Sequence, residues 1–262
     1  MPPVSVRCIV ARKRESKRLK QNIGRVFRSR YLDVVGSIYL YNEHRGYTSL
    51  DRVLVAAQRH CADDPSFISA IAKHRADERK HYLMFKRWFE LQHRMPIALD
   101  ASYGHIDRFI SRVFGCGIDA LDTDTIVADK ALFERLCRVI LITERRGLVQ
   151  VEELLRNPIV LGDRSMQRIF RIIHRDEPGH FLPYSDWLER RGRPAALLGE
   201  RIADWCIHKI LLLIKMPLLF FNSRATRMTL WPDADEMAPL ARLSHDRLGR
   251  GEHLSAMTAI DA

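Results

Sequence analysis

Apolar residues recur at spacings of three and four along most of this chain, a period that predicts amphipathic helices rather than strands. Four long stretches carry it, roughly 18–60, 65–93, 126–156 and 164–191. Their ends are punctuated. Asp64-Pro65 supplies an N-cap followed by proline at the first helical position, Asn157-Pro158 closes the third stretch, and Gly162-Asp163 opens the fourth. Residues 94–125 read as a crossover between the second and third, with one short helix near His105–Phe114. No segment alternates as a β-strand, so the pattern predicts an all-α fold. A further apolar run, Ile207–Phe221, predicts a helical extension over 193–231, and 232–262 reads as a polar tail.

The chain repeats itself. Glu43-His44-Arg45-Gly46, followed by Leu50, Asp51 and Leu54, aligns with Glu144-Arg145-Arg146-Gly147, followed by Val151, Glu152 and Leu155. Asp77-Glu78-x-x-His81, followed by Leu83, Trp88 and Glu90, aligns with Asp176-Glu177-x-x-His180, followed by Leu182, Trp187 and Glu189. The two offsets, 101 and 99, differ by only two residues. Each half therefore reads as one helical hairpin, and two hairpins make a four-helix bundle over 29–192.

Within each half a lone glutamate precedes an E-x-x-H by 35 or 33 residues. About 17 residues up one helix and about 17 back, at about 1.5 Å each, return the chain to the same height. Asp64-Pro65 and Gly162-Asp163 lie near the midpoints, where the turns are required. Glu and His three apart share one helix face. With 13 Glu and 11 His in the chain, chance supplies roughly half an E-x-x-H, so a single copy would mean little. Two copies in register with a repeat bring Glu43, Glu78, His81, Glu144, Glu177 and His180 to one level of a bundle core. Four carboxylates buried together without cations would repel and take up protons, which makes the six candidate metal donors. Pro178-Gly179, between Glu177 and His180, predicts a kink or π-bulge there.

Charge changes the picture at one end. The net formal charge is +11, yet residues 1–30 hold ten Lys/Arg against Glu15 alone, leaving the other 232 residues at +2. This basic arm, 1–28, suits a membrane surface, nucleic acid or an acidic partner, and a solvated terminus equally well. No aromatic interleaves with its charges before Phe27, which argues against stacking on bases. Five scattered cysteines without a C-x-x-C argue against a zinc ribbon or rubredoxin module and predict a reducing, cytoplasmic setting. No apolar h-region follows the N-terminal charges, so no cleavable signal is expected. Residues 207–221 are too short a membrane span and are interrupted by Lys209, Lys215 and Pro217. A cap on the bundle, a homodimer interface or peripheral membrane attachment remain open for them.

Over residues 30–190, the two D-E-x-x-H elements and their upstream glutamates resemble the ferritin-like di-iron carboxylate superfamily. Its members include rubrerythrins, bacterioferritins, ribonucleotide reductase small subunits, acyl-carrier-protein desaturases and di-iron oxygenases. The resemblance implies a ferritin-like bundle with two iron ions, with manganese or a mixed Mn/Fe pair as alternatives. Glu78 and Glu177 would bridge, Glu43 and Glu144 would be terminal, and His81 and His180 would each ligate one ion. Asp77 and Asp176 would accept a hydrogen bond from the histidine of the opposite hairpin. The implied activity is oxidation of an organic, apolar substrate with dioxygen, using electrons from an external donor such as a ferredoxin or reductase. A ferroxidase or peroxidase, and a non-catalytic helical interaction protein, are the alternatives.

Other repeated positions read in two ways. Gly46 and Gly147 suit close packing or a local bulge, while Arg45 and Arg146 suit carboxylates behind the donors or simple solvation. Trp88 and Trp187 read as aromatic core before electron transfer. Tyr41 and Tyr82 are expected to border the oxygen site, whereas the repeat gives His44, His74 and His174 no role.

Overall fold

The computed structural model describes the backbone of residues 6–234 and the side chains of residues 21–122 and 124–234. Within that span the regular structure is helical, apart from an isolated antiparallel bridge between Ile97 and Arg227. The chain divides after Arg227, and of the second unit, Met228–Ala262, only residues to 234 are described, including a turn in which Ala234 N–H donates to the Trp231 carbonyl.

Two hairpins form the body of the first unit. Helices α1 (Val6–His60) and α2 (Pro65–Leu91) make the first, and the Asp64 side chain caps α2 by accepting the Phe67 N–H at 3.1 Å. The second joins α5 (Lys130–Arg156) to a rod made of α7 (Arg164–Asp176) and α8 (Pro178–Arg190), through the single turn α6 (Pro158–Leu161). Asp129, Asn157 and Asp163 cap α5, α6 and α7 with their side chains. Helix α2 packs on α7 and α8, and α1 on α5, so the hairpins meet face to face. The crossover carries α3 (His105–Phe114) and α4 (Thr123–Ala128).

A large buried apolar cluster reaches the turn end of the hairpins, with Ala57, Cys61, Phe67, Phe133 and Trp187 among its members. Phe67 stacks on Trp187 at 5.1 Å between ring centroids, and Phe133 meets the same indole edge-on at 5.4 Å. Trp187 is thus an aromatic core residue. Truncating a fully buried ring such as Phe133 is expected to cost about 3–5 kcal/mol.

The structure extends one sequence expectation, resolves a second, and leaves a third outside the described residues. Helix α1 runs back to Val6, so the described part of the basic arm continues a helix; residues 1–5 and the side chains of 6–20 lie outside the described residues. The fourth stretch breaks at Glu177, where the His180 N–H bonds the Glu177 carbonyl at 2.9 Å. Pro178 has no N–H to donate, and the chain answers with a tighter three-residue bond rather than a π-bulge. The polar tail predicted over 232–262 lies almost wholly outside the described residues.

The apolar run after residue 197 is one rod: α9 (Leu198–Ile210), a π-helical turn (Leu211–Lys215) and α10 (Met216–Phe221). It packs on α3, α5 and α1, burying Ile207, His208 and Leu219 while leaving Leu213 and Phe221 exposed. Arg30 of α1 donates to the carbonyls of Leu219, Phe220 and Asn222, closing the end of α10. Among the described residues no helix is long and apolar enough to cross a membrane.

Candidate metal centre

Glu43 of α1, Glu78 and His81 of α2, Glu144 of α5, and Glu177 and His180 at the α7–α8 junction converge between the hairpins. His81 Nδ1 lies 3.3 Å from Glu43 Oε2 and 3.9 Å from Glu78 Oε1. His180 Nδ1 lies 3.2 Å from Glu78 Oε1, 3.8 Å from Glu144 Oε2 and 3.9 Å from Glu177 Oε2. Glu78 therefore stands between the two imidazoles. Both rings are fully buried.

Behind the imidazoles the hairpins exchange support. His81 Nε2 hydrogen-bonds Asp176 Oδ2 at 3.2 Å, and His180 Nε2 faces Asp77 Oδ2 at 3.6 Å, each aspartate belonging to the opposite hairpin. The Asp176 bond holds the His81 ring with Nδ1 inward, whereas His180 Nε2 faces its aspartate without a hydrogen bond. Lys80 donates to Asp77 at 2.5 Å and to Asp176 at 2.7 Å. Burial alone would raise the Asp77 carboxyl, but contacts from His180, Lys73 and Lys80 outweigh it and hold the group well below the usual range.

The repeated glycines make room for donors. A β-carbon at Gly46 would collide with the Glu78 carboxylate, and one at Gly147 would lie 3.1 Å from Glu177 Oε1. Each glycine, three residues after the lone glutamate of its hairpin, clears the glutamate of the E-x-x-H. The neighbouring arginines point elsewhere. Arg45 holds Asp107 at 2.6 Å and Asp119 at 2.8 Å, and Arg146 pairs with Asp204. Two residues past a lone glutamate is the far side of the helix, so neither arginine reaches a donor carboxylate. Their partners extend the repeat, since α3 supplies Asp107 to one hairpin and α9 supplies Asp204 to the other.

Electrostatics suit a cation. Burial, then the neighbouring Glu144, lifts Glu43 from 4.5 to about 8; burial, then Glu43, does the same to Glu78. Burial and Glu144 push Glu177 well up as well. His81 Nδ1, His180 Nδ1 and Glu177 Oε2 are buried and make no hydrogen bond. Buried ring nitrogens and a carboxylate oxygen left without hydrogen bonds beside proton-hungry carboxylates are costly on their own, and a divalent ion would satisfy them.

No protein-family model, curated protein or solved structure matches this chain. The geometry alone carries the functional reading.

That geometry adds a residue the repeat did not suggest. His74 Nε2, buried and without a hydrogen bond, lies 3.7 Å from both Glu78 Oε1 and Glu144 Oε1. Two overlapping donor sets result, Glu43–Glu78–His81 and His74–Glu78–Glu144–His180, each with ligand atoms within 4.8 Å of one another. Glu78 is common to both, and Glu177 flanks them. The signal was local: His74 precedes Glu78 by four residues and His81 by seven, on one helix face. His74 Nδ1 is held in turn by the Tyr184 hydroxyl at 3.4 Å. By contrast, His44 packs against Tyr47 and Tyr82, and His174 lies near Glu152 at the surface. Tyr41, expected at the oxygen site, gives its hydroxyl to Asp107 instead, and Tyr39 lines the metal cavity. Tyr39 stands four residues before Glu43 and shares its face; Tyr41 stands two before and does not.

Proposed function

We propose that this chain is a ferritin-like four-helix bundle that binds two metal ions, preferentially iron, and oxidises an organic substrate with dioxygen. The observation that carries the reading is the set of inward imidazole nitrogens, those of His74, His81 and His180, each without a hydrogen bond and each facing Glu78. Glu43, Glu78 and His81 would hold one ion, and His74, Glu78, Glu144 and His180 the other, with Glu177 adjacent. Carboxylate and imidazole donors suit iron and manganese alike. The bound pair would supply the redox chemistry of oxygen reduction, with electrons from an external donor.

The protein's own part is orientation and exclusion. Asp176 holds His81 and Asp77 faces His180 from behind, each with Nδ1 inward, and the Tyr184 hydroxyl does the equivalent for His74 through its Nδ1. Gly46 and Gly147 give the carboxylates space. Ile38, Leu50 and Ile140 form apolar walls of the metal cavity and limit water there. An organic substrate is favoured over iron storage because a separate, largely apolar chamber adjoins this cavity.

Anaerobic metal analysis of the purified chain tests the reading. About two ferrous ions per chain, followed by oxygen uptake on exposure to air, is the expected result. A chain that takes up no iron or manganese overturns it.

A further inference from the structure

A second cavity, of about 210 Å³, lies against the metal-side cavity of about 110 Å³. Ile38, Tyr39, Asn42, His105 and Gln150 line both, so these side chains form the partition between two adjoining chambers. The larger part is closed by the C-terminal rod, where the π-helical turn and its flanks present Leu211, Leu212 and Met216. A π turn adds a residue to the helical register and commonly marks a functional wall.

The lining sorts by chemistry. Val35, Leu154 and the three residues of the rod are apolar, and aromatic faces come from Tyr31 and Tyr103. Polar capacity gathers at the junction: the Tyr39 hydroxyl and His105 Nδ1 are buried and make no hydrogen bond. No Lys or Arg lines the larger chamber, and its one acid is the exposed Glu153. Arg146, on the metal side, is taken by Asp204. His208, also in the lining, bonds Gln150 and is lowered below its ordinary value by burial and Arg146, so an anion buried there would lack a fixed counter-charge, whereas a neutral polar group would find two waiting partners. An apolar cavity of about 150 Å³ accepts benzene, so this one accommodates a substituted ring.

We infer that this chamber binds the organic substrate and selects a neutral amphipathic molecule. Its body is an apolar, ring-sized group, and its single hydroxyl, carbonyl or amide meets Tyr39 and His105 beside the metal cavity. The inference rests on the proposed oxidation only for its catalytic meaning; binding stands by itself.

Calorimetry with 4-butylphenol and 4-butylbenzoate, on both the metal-free and the iron-loaded full chain, tests it. The phenol is expected to bind at least about tenfold more tightly than the anionic isostere in both forms. Leu212→Trp, at the half-exposed rim, and Met216→Trp, inside, are each expected to weaken phenol binding by about tenfold while leaving metal stoichiometry unchanged. Equal or tighter binding of the benzoate overturns the inference, as does unchanged affinity in both folded tryptophan variants. A chain that binds the phenol as described but takes up no metal supports the chamber and removes the proposed function. One that takes up two ions yet prefers the benzoate does the reverse.

Discussion

The two hairpins are built to one plan and then made unequal. Each supplies a lone glutamate, a clearing glycine, an E-x-x-H and an aspartate that supports the other's histidine. The first also supplies His74, where the aligned position of the second is Ile173. The second supplies the Tyr184 hydroxyl that holds His74, where the aligned residue of the first is Phe85. The asymmetry is therefore shared between the halves: one brings a nitrogen donor, the other brings its orienting group. A repeated scaffold fixes where the candidate donors stand, and single substitutions off the repeat would make the two proposed ion positions chemically different.

Glu78 belongs to both donor sets, so removing it should erase the comparison altogether. Glu78→Ala is expected to lower the affinity of both ions by about a hundredfold or more, read as loss of metal at equilibrium dialysis. Retention of one tight ion would show that the halves bind independently. Next in size, His74→Ile makes the halves alike at this position. We expect one ion weakened by about 10–100-fold and the other nearly unchanged, resolved as two phases of a competitive titration. Uniform weakening of both would place His74 outside the second donor set.

The glycines sharpen the contrast further. Gly46→Ala drives a methyl into the Glu78 carboxylate, and a destabilisation of about 1–3 kcal/mol is expected on urea unfolding. Gly147→Ala needs only a small shift of Glu177, and the better helix propensity of alanine, worth up to about 1 kcal/mol, should bring it near neutrality. Equal costs at the two positions would contradict the unequal clearances.

The gentlest test changes no residue. In the metal-free chain the carboxyls of Glu43 and Glu78 are raised from 4.5 to about 8, so the stability that they contribute is full below about pH 4.5 and is lost as pH rises through about 8. His180 acts in the same direction: burial opposes its charge, but Asp77, Glu144 and Glu78 raise it well above 6.5. His74 and His81 are lowered, chiefly by burial, and their contribution is instead lost as pH falls below about 6.5. Thermal unfolding of the metal-free chain should therefore weaken from pH 6.5 to 8.5, and saturating metal should flatten that slope. Nitrogen NMR at pH 7 should find His74 and His81 neutral.

Much of this architecture is legible in the residues because helices are metrical. The rise per residue and the caps at Asp64 and Asp163 bring a glutamate 33 or 35 positions upstream back to the level of an E-x-x-H, and the six donors converge accordingly. What sequence could not supply came from faces and from distant packing. Tyr39 rather than Tyr41 meets the cavity because four residues keep a side chain on the glutamate's face and two do not. His74 is invisible to a symmetry argument, since it exists by breaking the symmetry. The chamber depends on the rod over 198–221 folding back across α1, α5 and α3, a placement that no local pattern encodes. The partners of Arg45 and Arg146 were hidden for the same reason, lying on α3 and α9.

Lys80 gears the two halves together. Its one ammonium bonds both Asp77 and Asp176, and each aspartate stands behind the histidine of the other hairpin. The carboxylates behind the two rings thus share one counter-charge. A disturbance that loosens one proposed ion position would thereby reach the other, through a clasp at the back of the site that no ion needs to touch.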